Sequence, residues 1–195
     1  TLDLMLWGTG QFGKWGRQDH SGHAVAIEGG VQPKFAPKLK PWFRAGFYEG
    51  SGDDNPNDNK HGSFFQILPT PRPFARFPFF NMMNNQDFNG VMILRPHAKW
   101  TLSTEFHALR LANRNDLWYL GGGAFQPWSF GYIGRATNGA RSLANLYDTQ
   151  VEYRMNPRVT LTGYVGYANG RAVMKSIYPK GVNATFGYVE AMYRF

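Results

Sequence analysis

The run Asn183-Ala184-Thr185-Phe186-Gly187-Tyr188-Val189-Glu190-Ala191-Met192-Tyr193-Arg194-Phe195 changes character residue by residue. In a β-strand successive side chains point to opposite faces. Asn183, Thr185, Gly187, Val189, Ala191, Tyr193 and Phe195 therefore share an uncharged face that ends in two aromatics, and the other face carries Glu190 and Arg194. A strand apolar on one side and charged on the other suits a sheet standing between lipid and water, with aromatics at the interface. It also describes the last strand of a soluble sandwich. The rest of the chain separates the two.

Working back from that strand, period-two patterning with Gly, Pro and Asn punctuation predicts eight strands. They run over about 2–12, 22–35, 39–49, 88–97, 99–111, 141–155, 158–168 and 183–195. Three links are very short and contain proline: Phe35-Ala36-Pro37-Lys38, Arg95-Pro96-His97-Ala98-Lys99 and Met155-Asn156-Pro157-Arg158. Proline fixes φ and stops the strand from running straight on. The others, at about 13–21, 50–87, 112–140 and 169–182, are longer. Short and long links alternate, as in outer-membrane barrels with tight turns at one rim and long loops at the other.

The faces agree with this reading. Val159, Leu161, Gly163, Val165 and Tyr167 form an apolar row opposite Thr160, Thr162, Tyr164 and Gly166. Trp100, Leu102, Phe106 and Ala108 oppose Ser103, Glu105 and His107. Leu143, Tyr147, Val151, Tyr153 and Met155 oppose Ser142, Asp148, Gln150, Glu152 and Arg154. The strand at 88–97 is apolar on both sides, and its pattern does not orient it.

Composition fits many strands and tight turns with little helix. Of 195 residues, 23 are glycine and 16% are aromatic, whereas only 17% are charged. Mean hydropathy is −0.43, and no apolar run approaches the roughly 18 residues of a membrane helix. The longest uncharged stretch, Leu117 to Gly134, holds five glycines and Pro127 and reads as a loop. Cysteine is absent, which excludes disulfides and thiolate metal sites. The net charge of +8 suits an anionic partner. Its basic residues are scattered, with no basic helix, zinc-finger spacing or aromatic RNA-binding signature, so nucleic acid is not the expected one.

Several segments carry a family resemblance. They are Gly50-Ser51-Gly52-Asp53-Asp54-Asn55-Pro56-Asn57-Asp58, His61-Gly62-Ser63-Phe64-Phe65-Gln66, Leu68-Pro69-Thr70-Pro71-Arg72 and Ala75-Arg76-Phe77-Pro78-Phe79-Phe80-Asn81-Met82-Met83-Asn84. Leu94-Arg95-Pro96-His97, Asn115-Asp116-Leu117-Trp118-Tyr119, Gly121-Gly122-Gly123-Ala124-Phe125 and the closing hairpin with Tyr188, Tyr193 and Phe195 add to them. Together they resemble the alginate-export family of bacterial outer-membrane porins. The resemblance implies an all-β, antiparallel transmembrane β-barrel. About eight strands are present here as a single domain corresponding to the carboxyl-terminal half of a barrel of about eighteen. It further implies location in the bacterial outer membrane, contact with lipid and lipopolysaccharide, and a terminal Phe195 resembling the signal read by the barrel assembly machinery.

A pore of this family would export an anionic polysaccharide, an alginate-like polyuronate with one carboxylate per sugar. Such a pore must attract the polymer without holding it, which calls for arginines countered by carboxylates. The expected lining is Arg44, Arg95, Arg110, Arg154 and Arg194 on strands and Arg72 and Arg76 in the long loop. Glu105, Asp148, Glu152 and Glu190 are expected to pair with them. Phe64, Phe65, Phe74, Phe77, Phe79 and Phe80 make the loop at 50–87 too apolar for a solvated tip, so it is expected to fold partly inward. The alternatives are a porin for small anionic solutes and a soluble carbohydrate-binding β-sandwich.

No cofactor is expected. Asp53, Asn55 and Asn57 imitate the opening of an EF-hand loop, but Asp58 stands where Gly belongs and Phe64 where the bidentate Glu belongs. A solvated loop is the preferred reading there, with loosely held calcium as the alternative. Catalysis is not expected either. Ser103 and His107 lie four residues apart on one strand face, about 13 Å, and no Gly-x-Ser-x-Gly elbow occurs. His20, His23, His61 and His97 show no metal-ligand spacing.

Overall fold

A computed structural model describes residues 1–67, 75–77, 81–120 and 133–195. Eight long strands form one antiparallel sheet, in the order β1 (Leu2–Trp15), β2 (Gln18–Val31), β3 (Trp42–Gly50), β5 (Asn85–His97), β6 (Trp100–Arg110), β9 (Ser142–Arg154), β10 (Val159–Gly170) and β11 (Asn183–Tyr193). Each strand pairs with the next long strand in sequence, so the sheet is a meander with edges at β1 and β11, and it is not closed. Shorter elements lie in the loops. β4 (Lys60–His61) pairs in parallel with β2, β7 (Trp118–Leu120) pairs with β8 (Ile133–Arg135), and α1 (Ala172–Ile177) follows β10. Among the described residues no helix is long and apolar enough to cross a membrane.

The links separate by rim. Among the described residues, 51–67, 81–84, 111–120, 133–141 and 171–182 stand at one end, and 32–41, 98–99 and 155–158 at the other. Two boundaries differ from the sequence reading. The stretch at 13–21, expected as a loop, continues both strands and turns in two residues, Gly16 and Arg17. Gly16 has φ 62°, a left-handed conformation that a tight hairpin needs and that glycine adopts without a Cβ clash. Polar residues such as Lys14 and Asp19, paired across this hairpin, hid the strands. Conversely, the link near Phe35 to Lys38 is ten residues long, because Pro33, Pro37 and Pro41 end the ladder early. The uncharged stretch Leu117 to Gly134, read as a loop, holds β7 and the first two residues of β8.

Direct pairing across the ladder orients β5. Asn85, Asp87, Asn89, Val91 and Ile93 share a face with Gly50, Tyr48, Gly46, Arg44 and Trp42. This face, here called inner, carries the buried side chains. On β2 it holds Gly22, Ala24, Ala26, Glu28 and Gly30, all buried, while His23, Val25, Ile27, Gly29 and Val31 between them are exposed.

The outer face exposes rows of large apolar side chains, among them Leu4, Leu6, Ile27, Phe88, Val151, Val165 and Val189. Aromatic pairs cross it in two belts. Phe47–Phe88, Phe106–Tyr147 and Tyr147–Tyr167 lie toward the long loops, and Trp100–Tyr153 lies near the short turns. Tyr147 and Tyr153 are six residues apart, about 20 Å along the strand. Among the described strands the charged outer residues, Lys14, Asp19, Glu49 and Arg110, all lie at the long-loop end. An apolar band bounded by aromatics is what a lipid-facing barrel wall presents.

The dry core lies between the inner face and the loops. Phe64, Ala75, Phe77, Met82, Leu111, Trp118, Leu143, Leu146, Val173 and Met174 pack together there. The loop residues Phe64, Phe65 and Phe77 are therefore buried against the wall. Phe74, Phe79, Phe80 and the Gly121-Gly122-Gly123 run lie outside the described residues.

Candidate pore lining

The inner face holds two polar clusters. The first spans β1, β2 and β3. Arg44 pairs with Glu28, which also accepts a hydrogen bond from the Tyr48 hydroxyl. The Trp42 indole N–H donates to Asp3 at 2.9 Å. The Arg44 guanidinium lies 4.6 Å from the Trp42 ring centroid and that of Arg95 lies 5.7 Å from it. Stacking holds both guanidinium planes against an aromatic while their edges remain able to meet carboxylates.

The second cluster spans β5, β6 and β9. Glu105 faces Asp148 across the β6–β9 ladder, and Arg76, arriving from the loop, pairs with Glu105. His107 Nδ1 lies 2.8 Å from Asp87 Oδ2, and both side chains are fully buried. The described loop residues 75–77 thus reach the wall, bringing a cation against an acid and Phe77 against Phe186.

The remaining expected residues are placed as follows. Glu152 and Glu190 flank Thr162 on the inner face, and Arg154 stands opposite Thr160 on the same face near the short turns. Arg194 follows β11, its amide donating to the Arg158 carbonyl. Arg110 belongs to the outer face: it pairs with Gln86 across the ladder, its Nε donates to the Gln86 side chain at 2.7 Å, and it lies 4.9 Å from the Phe88 ring. Its even-numbered position, in step with Trp100 and Phe106, already implied that side. Arg72 lies outside the described residues. In the acidic loop, Asp53, Asn55 and Asp58 each accept a backbone N–H two residues on, from Asn55, Asn57 and Lys60. These are successive Asx turns, which shape the loop from within.

Two groupings had no signal in the spacing. Asp116 ties the loops together, its carboxylate accepting from the Asp53 and Leu117 amides and the Ser63 and Tyr119 hydroxyls. His20 and His61 meet through their Nδ1 atoms at 2.9 Å, and Trp15 stacks on His61 at 4.7 Å. Only one proton fits between two such nitrogens.

Burial first, and then the neighbouring His20, holds the His61 pKa below its ordinary 6.5, despite the opposing pull of Asp53 and Asp116. The folded loop therefore binds fewer protons than the unfolded one. Its stabilisation is complete above about pH 6.5 and is lost as pH falls through the folded pKa. Protease cleavage within residues 51–67 should be faster at pH 5 than at pH 7.5, and His61→Phe should remove that difference. Equal cleavage of the unmodified chain at both pH values would show that this pair does not hold the loop.

Compared with known proteins, residues 1–179 match the family model described as alginate export. No curated protein matches the chain.

Proposed function

The chain belongs to the alginate-export family of outer-membrane β-barrel porins, and on that footing we propose that its inner face lines a channel through which a polyuronate diffuses outward. The family's role is transport of alginate, and no chemical step is needed for it. The observation that carries the reading is the division of the sheet. Its outer face is apolar between two aromatic belts, and its inner face gathers Arg44, Arg76 and Arg95 with their acidic and aromatic partners. In this reading the outer face meets outer-membrane lipid, and the charged loop-side residues meet lipopolysaccharide. The edges of β1 and β11 pair with further strands of a closed barrel, since unpaired edges would leave backbone groups unsatisfied in lipid.

Arginines already engaged with an acid or a tryptophan attract a passing carboxylate without trapping it. Arg76, placed by the loop and held by Glu105, stands as a cationic point on the inner face. A unit charge about 5 Å from a passing carboxylate is worth about 1 kcal/mol even in a water-like dielectric. In planar bilayers, replacing Arg76 and Arg95 together by Gln should lower the anion-to-cation permeability ratio of the full-length protein about five- to tenfold. Unchanged reversal potentials would remove both residues from the lining. Oligouronates should block the conductance at lower concentration than small carboxylic acids of equal charge per group. The reverse order would favour a porin for small anions.

A further inference from the structure

Glu105 and His107 are two residues apart on β6 and so share the inner face, and Asp148 stands directly across from Glu105 on β9. One donor atom from each lies within 4.8 Å of the others. His107 Nε2 is 3.7 Å from Glu105 Oε2. Its other nitrogen faces Asp87, and with Nδ1 donating to that carboxylate the Nε2 lone pair points at the two acids. A carboxylate behind a histidine in this way orients the ring and raises its basicity as a ligand.

A second observation is independent of the spacing. Asp148 is 2% exposed, and neither carboxylate oxygen makes a hydrogen bond of ordinary geometry, although the Tyr164 hydroxyl and Phe77 amide lie beside it. Among the described residues, three buried carboxylates, Asp87, Glu105 and Asp148, face one guanidinium, Arg76, and one imidazole. Buried anions of this kind are paired, protonated or metal-bound.

We propose that Glu105, His107 and Asp148 form a binding site for a divalent first-row transition ion of the Zn²⁺ class, in which Arg76 and the metal compete for Glu105. One imidazole and two carboxylates are a donor set for zinc, with bonds of about 2.0–2.2 Å. Side-chain rotation of Glu105 closes the remaining distance once its pair with Arg76 breaks. The cation of the loop and the cation at the wall thus share one acid, and occupancy by the metal frees the guanidinium.

The test uses full-length protein in detergent, stripped with a chelator and then titrated with Zn²⁺ alone, with bound metal counted per chain and affinity measured by calorimetry. One equivalent is expected, bound more tightly than Ca²⁺ or Mg²⁺. Asp148→Asn should weaken it by more than about tenfold, and His107→Gln likewise. Arg76→Gln should strengthen it, because it removes both a competitor and a positive charge. Absence of the equivalent, unchanged affinity in Asp148→Asn, or weaker binding in Arg76→Gln would each overturn the site. Should His107→Gln fail to show the heat-modifiable gel mobility of a folded barrel, the other two variants, whose effects have opposite sign, carry the test. Metal binding is read without any conductance, so its failure and that of the channel reading are separate results.

Discussion

Val165→Arg should cost roughly 2–4 kcal/mol of folding free energy when the full-length protein is unfolded by urea from lipid vesicles. Val165 lies in the middle of β10 on the outer face, 53% exposed, with Thr149 and Gly187 as its cross-strand neighbours. An arginine there has no partner and must be desolvated by acyl chains or drag water into them. Three residues earlier, Thr162 points the other way, between Glu152 and Glu190. On the side that the proposed channel would fill with water, Thr162→Arg acquires two carboxylate neighbours and should cost less than about 1 kcal/mol. The contrast matters more than either number. Were the outer face water-exposed in the native protein, the two substitutions would cost about the same. Were it covered by a dry protein layer, Val165→Arg would prevent folding in vesicles and in detergent alike.

The second large effect is expected at Gly50. This residue ends β3 on the inner face, where the loop backbone crosses so closely that a Cβ would overlap the carbonyl oxygen of Met82. The neighbouring Ser51 is the junction of the whole loop. Its amide donates to the His23 carbonyl, and its carbonyl accepts from the Phe64 and Asn84 amides. Backbone cannot swing aside as a side chain can, so Gly50→Ala should cost about 1–3 kcal/mol as an overpacked site. The loop should lift from the wall, with faster protease cleavage between 62 and 84 as the readout. Gly163→Ala is the control. Gly163 faces outward on β10 with open space around its Cα, so an added methyl meets nothing. Its effect should stay within about 0.5 kcal/mol. Equal loop cleavage in both variants would mean that Gly50 is not a crossing point.

These two sites mark how far the chain could be read unaided. Val165 was placed by alternation alone, because a side chain's face follows from its parity with neighbours one and two residues away. The same rule put Glu105 and His107 together on one face and, applied strictly, puts Arg110 on the other. The expectation that an arginine should line a pore overrode the parity there. The structure seats Arg110 beside Gln86 and Phe88 at the long-loop end of the outer face. Link lengths separated the rims only in part: the stretch at 13–21 is a two-residue turn on the rim of the long loops, and the link near Phe35 to Lys38 is ten residues long.

Other features depend on residues far apart in the chain. Gly50 matters because residue 82 passes over it. The His61 pKa is held down by burial in the folded loop and then by His20, 41 positions away. Asp87, Glu105, His107 and Asp148 converge from three strands only because β5, β6 and β9 pair in one particular register. Alternation is local and has a period of two, so sequence alone determined that this is a sheet with an apolar and a polar side. Which polar groups meet depends on how far each strand slides past its neighbour and where the loops fold back. Those choices are settled by the sum of many distant contacts, and a pattern of nearest neighbours does not contain them.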